Sequence, residues 1–402
     1  MSQSISQSLS KPAEYLRNLI RCPSVTPEEG GALSYLQGEL ERLGFEVHRI
    51  VFSDENTPDV ENLYARLGTK APHICFAGHT DVVPVGKVND WSKHPFEAEI
   101  VDDQMIGRGA VDMKGGIACF LAAAEAYISD HGQSAGSISF LITGDEEGPS
   151  INGTDKLLKW ARERGEKFDA CIVGEPSNAR QIGDTIKNGR RGSMSGKLNV
   201  HGVQGHAAYP HLADNPVRGL LDLLDHLLAT PFDDGTDEFQ PTNLEVTSID
   251  VGNPAANVIP ASASAIFNVR FNDTWNGETM TSEIKRRFGE GAKAGRLRHG
   301  KSEPVNYSID WIGRVSPVFL TMDKRLIDTL SSAVISVTGN KPELSTGGGT
   351  SDAQFIKDYC AVVEFGLIGQ TMHQVDERVG LNDLDMLTKI YQVFLEKYFK
   401  QG

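Results

Sequence analysis

Seven acidic or histidine side chains are spaced along the chain in a way that suits metal chemistry. Imidazole and carboxylate are the ligands that hold catalytic zinc at neutral pH. Two metal ions a few ångströms apart need a bridging carboxylate and terminal ligands on each side. The residues that could supply these groups are His79, Asp81, Asp112, Glu146, Glu147, Glu175 and His373. Their types and order predict a centre of two metal ions.

Asp112 is the natural bridging ligand, because it lies between the other sites in sequence and follows a glycine-containing turn. His79 with Glu175 could complete one metal site. His373 with Glu147 could complete the other. Each ion would then have one histidine and one glutamate besides the shared aspartate.

Glu146 is left free by this assignment. A carboxylate beside a metal-activated water can take its proton and later deliver it to a leaving amine. Because a metal lowers the pKa of its water toward about 7, the base need not be strong. Asp81 follows His79 closely and is placed to accept the second imidazole N–H, a contact that metal-binding histidines usually require.

Each of these residues has a simpler interpretation when taken alone. Asp112 could be the N-cap of a helix that begins at Lys114. Glu146 and Glu147 could form a solvated turn, and Glu175 could be an acidic loop residue. Together they favour a metal site, because several acids and a histidine follow strand-like segments and are flanked by glycine.

Three short apolar segments are predicted to place these side chains. Residues 73–77, 137–143 and 170–173 read as buried strands, and each is followed directly by candidate site residues. An open α/β sheet presents its chemistry at the carboxyl ends of such strands. An alanine-rich segment, residues 114–128, predicts a helix buried against the sheet.

The pattern changes between residues 191 and 314. Alternating segments and amphipathic segments there predict the order β-α-β-β-α-β, with residues 289–304 as an exposed loop. The predicted fold is α/β: a discontinuous catalytic domain, 1–190 and 315–402, with a central mixed sheet flanked by helices. The inserted α+β domain would be residues 191–314.

Composition narrows the functional classes. The 402 residues include 39 Lys+Arg and 54 Asp+Glu, a net charge of −15, which argues against a nucleic-acid partner. The five cysteines form no CxxC motif, which favours a reducing compartment. The N-terminus does not resemble a signal peptide, and no apolar stretch is long enough for a membrane span. These features predict a cytoplasmic protein without a membrane partner.

The motifs resemble those of the M20 family of di-zinc amidohydrolases and exopeptidases, over essentially the whole chain. The segments that carry the resemblance are residues 24–27, 78–84, 91–96, 107–116, 143–148, 173–177, 187–193, 205–210, 257–260 and 347–352. The metal motifs point to the family as a whole. The other segments are most similar to its branch that removes a succinyl group from diaminopimelate.

The resemblance implies the same ligand pairs on either side of Asp112, with two zinc ions per subunit and cobalt able to replace zinc at one of them. It makes Glu146 the general acid/base and Asp81 the residue that orients His79. It also implies a cis peptide bond between Asp112 and Met113. The inserted domain would form a homodimer, in which His206 reaches the partner's site and stabilises the oxyanion. By spacing alone, His206 reads as a surface histidine in a loop.

The resemblance also implies a substrate site for an N-acyl amino acid. The residues that match it are Arg190, Tyr209, Asn257, Arg270, Gly348, Thr350 and Ser351. Arginine grips carboxylates in a bidentate way, which suits a succinyl group and a diaminopimelate. Without the resemblance, Arg190 could equally belong to a solvated basic pair. Ala256 stands where some relatives have an asparagine, which leaves one polar contact open.

Other functions stay open at this point. A deacetylase that acts on acetylornithine, or another acyl-amino-acid hydrolase of the family, would use the same metals. A dipeptidase is a weaker alternative. A non-enzymatic metal-binding dimer would have no need of a free carboxylate such as Glu146 beside the ions.

Overall fold

The computed structural model describes residues 9–132, 136–299 and 302–400. The prediction that the N-terminus is not a signal peptide concerns residues 1–8, which lie outside the described residues. The helices are α1 (Lys11–Ile20), α2 (Ala32–Arg42), α3 (Lys114–His131), α4 (Thr154–Glu163), α5 (Pro216–Leu228), α6 (Gly277–Arg298), α7 (Lys324–Thr338), α8 (Ala353–Ile356) and α9 (Leu381–Lys400).

The strands fall into one large sheet and several smaller ones. They are β1 (Glu46–Asp54), β2 (Thr57–Leu67), β3 (His73–His79), β4 (Glu99–Val101), β5 (Gln104–Ile106), β6 (Ser137–Thr143), β7 (Ala170–Val173), β8 (Thr185–Lys187), β9 (Gly189–Arg190), β10 (Gly192–His201), β11 (Gly205–His206), β12 (Asn243–Asp250), β13 (Val258–Ile259), β14 (Ser262–Phe271), β15 (Tyr307–Ser316), β16 (Phe319–Leu320), β17 (Glu343–Ser345), β18 (Ala361–Glu364) and β19 (Arg378–Gly380).

The chain divides into two compact units. Unit 1 comprises residues 1–188, 321–345 and 351–402, and unit 2 comprises residues 189–320 and 346–350. The sequence placed the inserted domain at 191–314, and its role in dimerisation stays a prediction.

Unit 1 is built on an eight-stranded sheet in the order β1-β2-β6-β3-β7-β18-β8-β17. β3 pairs in parallel with β6 and β7, whereas β1, β2 and β6 pair in antiparallel fashion. The predicted central mixed sheet flanked by helices is therefore confirmed. Every residue of β3 and β6 is buried, as expected for strands covered on both faces.

The core of unit 1 explains the alanine-rich segment. α3 is buried through most of its length, and small side chains let it lie close to its neighbours. The Phe120 ring on α3 stacks on Phe76 of β3 at 4.4 Å between ring centroids, and Tyr391 of α9 packs against both rings. This packing fixes the strand whose last residue is His79.

Unit 2 contains a four-stranded antiparallel sheet in the order β12-β14-β10-β15. Burial alternates strictly along β10 and β14, so one face of the sheet forms a core with α5 and α6. In chain order the longer elements are β10, α5, β12, β14, α6 and β15.

The predicted loop at residues 289–304 is wrong over most of its length, because α6 continues to Arg298. Glycine is needed there because α6 lies against α5. A Cβ on Gly295 would come within 2.7 Å of Asp222 Oδ2, and one on Gly291 within 3.1 Å of His226 Cβ. The glycines therefore mark a close helix–helix contact, at a cost in helix propensity of about 1 kcal/mol each. Residues 300–301 lie outside the described residues.

The five cysteines are free thiols. Within the described ranges, no helix combines the length and apolar character that crossing a membrane requires.

Candidate metal centre

The candidate ligands of unit 1 lie at one edge of its sheet. His79 is the last residue of β3, Glu146 and Glu147 follow the end of β6, and Glu175 follows the end of β7. These three strands are neighbours and run parallel, so their carboxyl ends meet at the same edge. Asp112 precedes α3, which packs against β3.

Asp112 lies between two histidines that are distant in sequence. Its Oδ1 is 3.4 Å from His79 Nε2, and its Oδ2 is 3.1 Å from His373 Nε2. His79 Nε2 is also 3.6 Å from Glu175 Oε1, and His373 Nε2 is 2.8 Å from Glu147 Oε1. The structure thus brings together the five predicted ligands, with the aspartate in the middle.

Two groups of three side chains place their ligand atoms within 4.8 Å of one another. One contains His79, Asp112 and Glu147, and the other contains His79, Glu146 and Glu175. The donor set of imidazole and carboxylate suits zinc and related divalent ions.

His79 carries the observation that best fits a metal ion. The side chain is 1% exposed, and its Nδ1 lies 2.9 Å from the main-chain oxygen of Asp81. Its Nε2 is buried and has no hydrogen-bond partner among the described residues. A buried polar nitrogen without a partner is costly, and this one faces carboxylates. Metal coordination would satisfy it.

The predicted contact between the Asp81 carboxylate and the His79 ring needs correction. The main-chain carbonyl of Asp81 lies closer to Nδ1, whereas carboxylate Oδ1 is 3.6 Å away. The carboxylate instead accepts the main-chain N–H groups of Glu146 and Glu147, at 3.3 and 3.0 Å. Asp81 therefore supports His79 through its backbone and fixes the Glu146–Glu147 turn through its side chain.

The acidic centre shifts the pKa values of its members in different directions. Burial, together with the charges of Glu175 and Asp352, raises the pKa of Glu146 well above its ordinary value. Burial alone would raise the pKa of Asp112, but the neighbouring imidazoles hold it well below its usual range. Contacts with Asp112 and Glu147 raise the pKa of His373 to about 10.

The simpler interpretations of two site segments do not fit the structure. The N-cap of α3 is Met113, and no side-chain capping bond is made there, so Asp112 does not serve as a cap. Glu147 is only 10% exposed, so the acidic pair is not a solvated turn. The peptide bond between Asp112 and Met113 is cis, as the resemblance implied.

Three further buried carboxylates surround the centre, and sequence reasoning gave them no role. Asp145 accepts the main-chain N–H groups of residues 150–152, at 3.2, 2.8 and 2.7 Å, and so shapes the turn that carries Glu146. Asp352 accepts the hydroxyl of Thr154 at 2.6 Å, and burial raises its pKa to about 7. Glu377 binds the segment that carries Asp112. Asp145 and Asp352 lie inside segments that carry the family resemblance, and Glu377 follows His373 closely, but no spacing pattern indicates these roles.

Ser351 belongs to unit 1, unlike the other predicted substrate-binding residues. It is 3% exposed, and its hydroxyl donates to Glu364 Oε1 at 2.5 Å. The main-chain N–H of Ala353 also reaches the Ser351 hydroxyl, at 3.3 Å. This internal role at the start of α8 was not predicted, and a donor role toward substrate would require the bond to Glu364 to break.

Unit 2 gathers three arginines. Arg190 Nη1 donates to the carbonyl of Gly347 at 3.1 Å, and Arg191 Nη1 donates to Asn243 at 2.8 Å. Arg270 Nε donates to Asn268 at 3.0 Å. Burial, followed by the positive charges of Arg191 and Arg190, lowers the pKa of Arg270. The guanidinium groups are therefore close enough to repel one another, which favours an anionic ligand.

Gly348 and Thr350 lie in the short segment 346–350 that belongs to unit 2. Gly348 has a φ of 107°, a backbone conformation that favours glycine. The structure places this segment beside Arg190, through the carbonyl of Gly347.

His206, Tyr209 and Asn257 form a separate exposed group in unit 2. β11 and β13 pair there, with His206 opposite Val258. The carbonyl of Asn257 accepts the N–H of Ala207 at 2.9 Å, and Tyr209 donates its N–H to the carbonyl of His206 at 2.8 Å. All three predicted residues are exposed, so their side chains are accessible in this chain.

Comparison with known proteins identifies the family. Residues 75–397 match Peptidase family M20/M25/M40, and the chain belongs to that family. It is an enzyme of a group of metal-dependent hydrolases that act on amide bonds.

Solved structures with similar folds include a carboxypeptidase, a dipeptidase and a dinuclear metal-binding peptidase. An M20 metallo-carboxypeptidase from Sulfolobus solfataricus has a TM-score of 0.76 at 17% identity, over 98% of this chain and 100% of that one. Human carnosine dipeptidase 1 has a TM-score of 0.71 at 18% identity, over 97% and 96%. A dinuclear metal-binding M20 peptidase from Bacillus subtilis has a TM-score of 0.68 at 14% identity, over 97% of both chains. At these identities the similarity shows the fold.

Proposed function

We propose that this enzyme is a di-zinc desuccinylase that hydrolyses N-succinyl-LL-2,6-diaminopimelate to succinate and LL-2,6-diaminopimelate. The observation that carries the metal centre is the position of Asp112, whose two oxygens face different histidines. Two features support the choice of substrate: the motifs that resemble those of the desuccinylase branch, and the arginine group of unit 2.

His79 and Glu175 would hold one zinc ion, His373 and Glu147 would hold the second, and Asp112 would bridge them. Cobalt is expected to replace zinc at one of the two sites. When bound, the ions would supply Lewis-acid activation of the amide carbonyl and of water.

Glu146 performs the proton transfers in this proposal. It accepts a proton from the attacking water and then donates it to the nitrogen of the departing amine. One carboxylate can perform both steps, because the proton it takes from water in the first step is the proton it donates in the second. Asp81 holds the turn on which Glu146 lies, through the hydrogen bonds to residues 146 and 147.

The substrate carries three carboxylates, one on the succinyl group and two on diaminopimelate. Arg190 and Arg270 bind carboxylate groups in this proposal, because neighbouring guanidinium groups are stabilised by an anion between them. Gly348 and Thr350 contribute neutral donors, and Tyr209 and Asn257 complete the contacts.

His206 is proposed to act in a homodimer formed through residues 191–314. It would donate a hydrogen bond to the oxyanion in the site of the partner subunit. Such a donor is commonly worth about 3 kcal/mol of transition-state stabilisation. The exposure of the His206 side chain is compatible with this role. We place the enzyme in the cytoplasm on the basis of its five free cysteines.

Hydrolysis by the purified, zinc-loaded protein tests the proposal. N-succinyl-LL-diaminopimelate, N-acetylornithine and an unmodified dipeptide are compared as kcat/KM at equal zinc concentration. We expect a strong preference for the succinyl substrate. Preference for N-acetylornithine would favour a deacetylase, and preference for the dipeptide a peptidase. Either result would overturn the substrate assignment and leave the metal centre intact.

A further inference from the structure

Glu377 lies where two segments that carry candidate ligands meet. Its surface is 0% exposed, and it directly precedes β19. His373 lies shortly before it in sequence, whereas Asp112 is 265 residues away. β19 pairs with β5, the strand from which the Asp112 segment continues. Glu377 is therefore placed between both segments.

The Glu377 carboxylate accepts four hydrogen bonds from the turn that ends at Asp112. Oε1 accepts the main-chain N–H groups of Val111 and Asp112, at 2.9 and 3.2 Å. Oε2 accepts the N–H of Gly109 at 3.0 Å and Arg108 Nη1 at 2.7 Å. Gly109 has a φ of 83°, a backbone conformation that favours glycine in this turn. Converging amides of this kind form an anion-binding nest, and here an internal carboxylate fills it.

Arg108 extends the contact to the His373 segment. Its Nη1 also donates to the main-chain carbonyl of Gln374, at 3.2 Å. The side chain is 3% exposed and lies over the Trp91 ring at 5.2 Å, so it is held in place. The pair of Glu377 and Arg108 thus ties the main chain at Asp112 to the main chain beside His373.

We propose that Glu377 is a positioning residue for the metal centre, which holds Asp112 and His373 at the separation needed for both to bind metal. The inference rests on the proposed function, since it takes these two residues as ligands. Residues that orient metal ligands from outside commonly change metal affinity by about 10- to 100-fold when they are replaced.

Glu377→Gln is the direct test, because it keeps the side-chain shape but turns an amide NH2 toward N–H donors. We expect its zinc dissociation constant, measured by competition with a chelator, to rise by about 10- to 100-fold. Circular dichroism of the metal-free variant should match that of the wild type. Unchanged zinc affinity would overturn the inference.

Asp233→Asn is the matched control. Asp233 in unit 2 also accepts several internal donors, among them the N–H groups of Gly235 and Thr242 at 2.9 and 3.1 Å. We expect this variant to lose thermal stability and keep the zinc affinity of the wild type. An equal loss of zinc affinity in both variants would show a general effect of destabilisation and overturn the positioning role.

Two further variants separate the possible failures. If His373→Ala binds zinc as the wild type does, the proposed ligand set is wrong, whatever Glu377 does. If His373→Ala loses zinc and Glu377→Gln does not, only the present inference fails.

Should Glu377→Gln not fold, Arg108→Met decides, because it leaves the main-chain amides bound to Glu377. A folded Arg108→Met with weaker zinc binding supports the inference, and one with unchanged binding overturns it.

Discussion

The two ends of strand β3 carry histidines with the same local bonding. His73 is the first residue and is 2% exposed, and His79 is the last and is 1% exposed. Nδ1 of each ring lies 2.9 Å from a main-chain oxygen, that of Lys167 for His73 and that of Asp81 for His79. Nε2 of each ring is buried, and within the part of the chain that the structure describes it has no hydrogen-bond partner.

The charges around the two rings differ. At His79, burial opposes protonation, but Asp112, Glu175 and other carboxylates raise its pKa well above the ordinary value. At His73, burial and the positive charge of Arg66 lower the pKa to about 4. A buried histidine with a free nitrogen is therefore not in itself a metal site. The carboxylates around His79 make that end of the strand attractive to cations, whereas burial and Arg66 keep the His73 imidazole uncharged at the other end.

The largest effect is expected for Glu146, which follows β6 and lies at the same sheet edge as His79. Glu146→Gln removes the group that transfers the proton, and kcat should fall by about 10²–10⁴-fold. Zinc content, measured by atomic absorption, should stay at the wild-type level. Glu163→Gln, an exposed substitution at the end of α4, is the control and should leave kcat unchanged. Normal turnover by Glu146→Gln would remove this residue from the mechanism.

The same substitution at His79 and at His73 tests whether only the first histidine contributes to zinc binding. His79→Asn should raise the zinc dissociation constant by more than about 100-fold, because a ligand is lost, which corresponds to at least about 2.7 kcal/mol. His73→Asn should bind zinc as the wild type does, although it loses some stability. Titration with a chelator of known affinity measures both. Equal losses in the two variants would show that zinc binding reports only the integrity of β3.

The sequence predicts which side chains lie together at the carboxyl end of β3, around His79. Three apolar segments, each followed directly by candidate site residues, predict one shared sheet edge, and the structure has the corresponding strands β6, β3 and β7 side by side and parallel. Three of the five candidate ligands, His79, Glu147 and Glu175, could be grouped before their distances were known, because the strand ends that they follow converge at one sheet edge. Asp112 and His373 follow none of these strands and are predicted from their residue types and order alone.

Contacts between distant segments were not predictable in the same way. The hydrogen bonds of Glu377 to the Asp112 segment and those of the Asp81 carboxylate depend on which main-chain amides face a side chain. The bond from the Ser351 hydroxyl to Glu364 depends on which two side chains meet. The spacing of residues along the sequence does not predict which groups face each other in the folded chain. The loop predicted around Gly291 and Gly295 is wrong for a related reason: glycine is typical both of loops and of close helix packing, and only the position of α5 decides between them.

A smaller effect is expected from the arginines of unit 2. Arg270→Met removes a guanidinium and should raise KM for the succinyl substrate by about 10- to 100-fold, through loss of a charged hydrogen bond of about 1.5–3 kcal/mol. KM for N-acetylornithine should change much less, which separates recognition of the acyl carboxylate from general damage. Arg218→Met, at an exposed position of α5, is the control. Equal changes for both substrates would exclude Arg270 from recognition of the acyl group.

The smallest effect is expected for His73, at the start of β3, and concerns how the free energy of unfolding depends on pH. Since the pKa of His73 is about 4 in the folded chain against 6.5 as its ordinary value, the unfolded chain takes up this proton first as the pH falls. Stability from this residue is complete above pH 6.5 and is lost as the pH falls toward 4. Between about pH 7.5 and about pH 6 the free energy of unfolding should drop by roughly 1 kcal/mol on this account.

His73→Phe isolates that contribution, because phenylalanine can keep the packing against the Phe168 ring, now at 5.0 Å from the imidazole, and cannot titrate. Urea unfolding of the metal-free protein measures the free energy of unfolding at the two pH values. Its decrease toward the lower pH should be smaller for the variant than for the wild type. His94→Phe, at an exposed position, should retain the wild-type drop. If His73→Phe keeps the full pH dependence, the titrating group lies elsewhere, and the two ends of β3 differ less in their charge environment than the structure indicates.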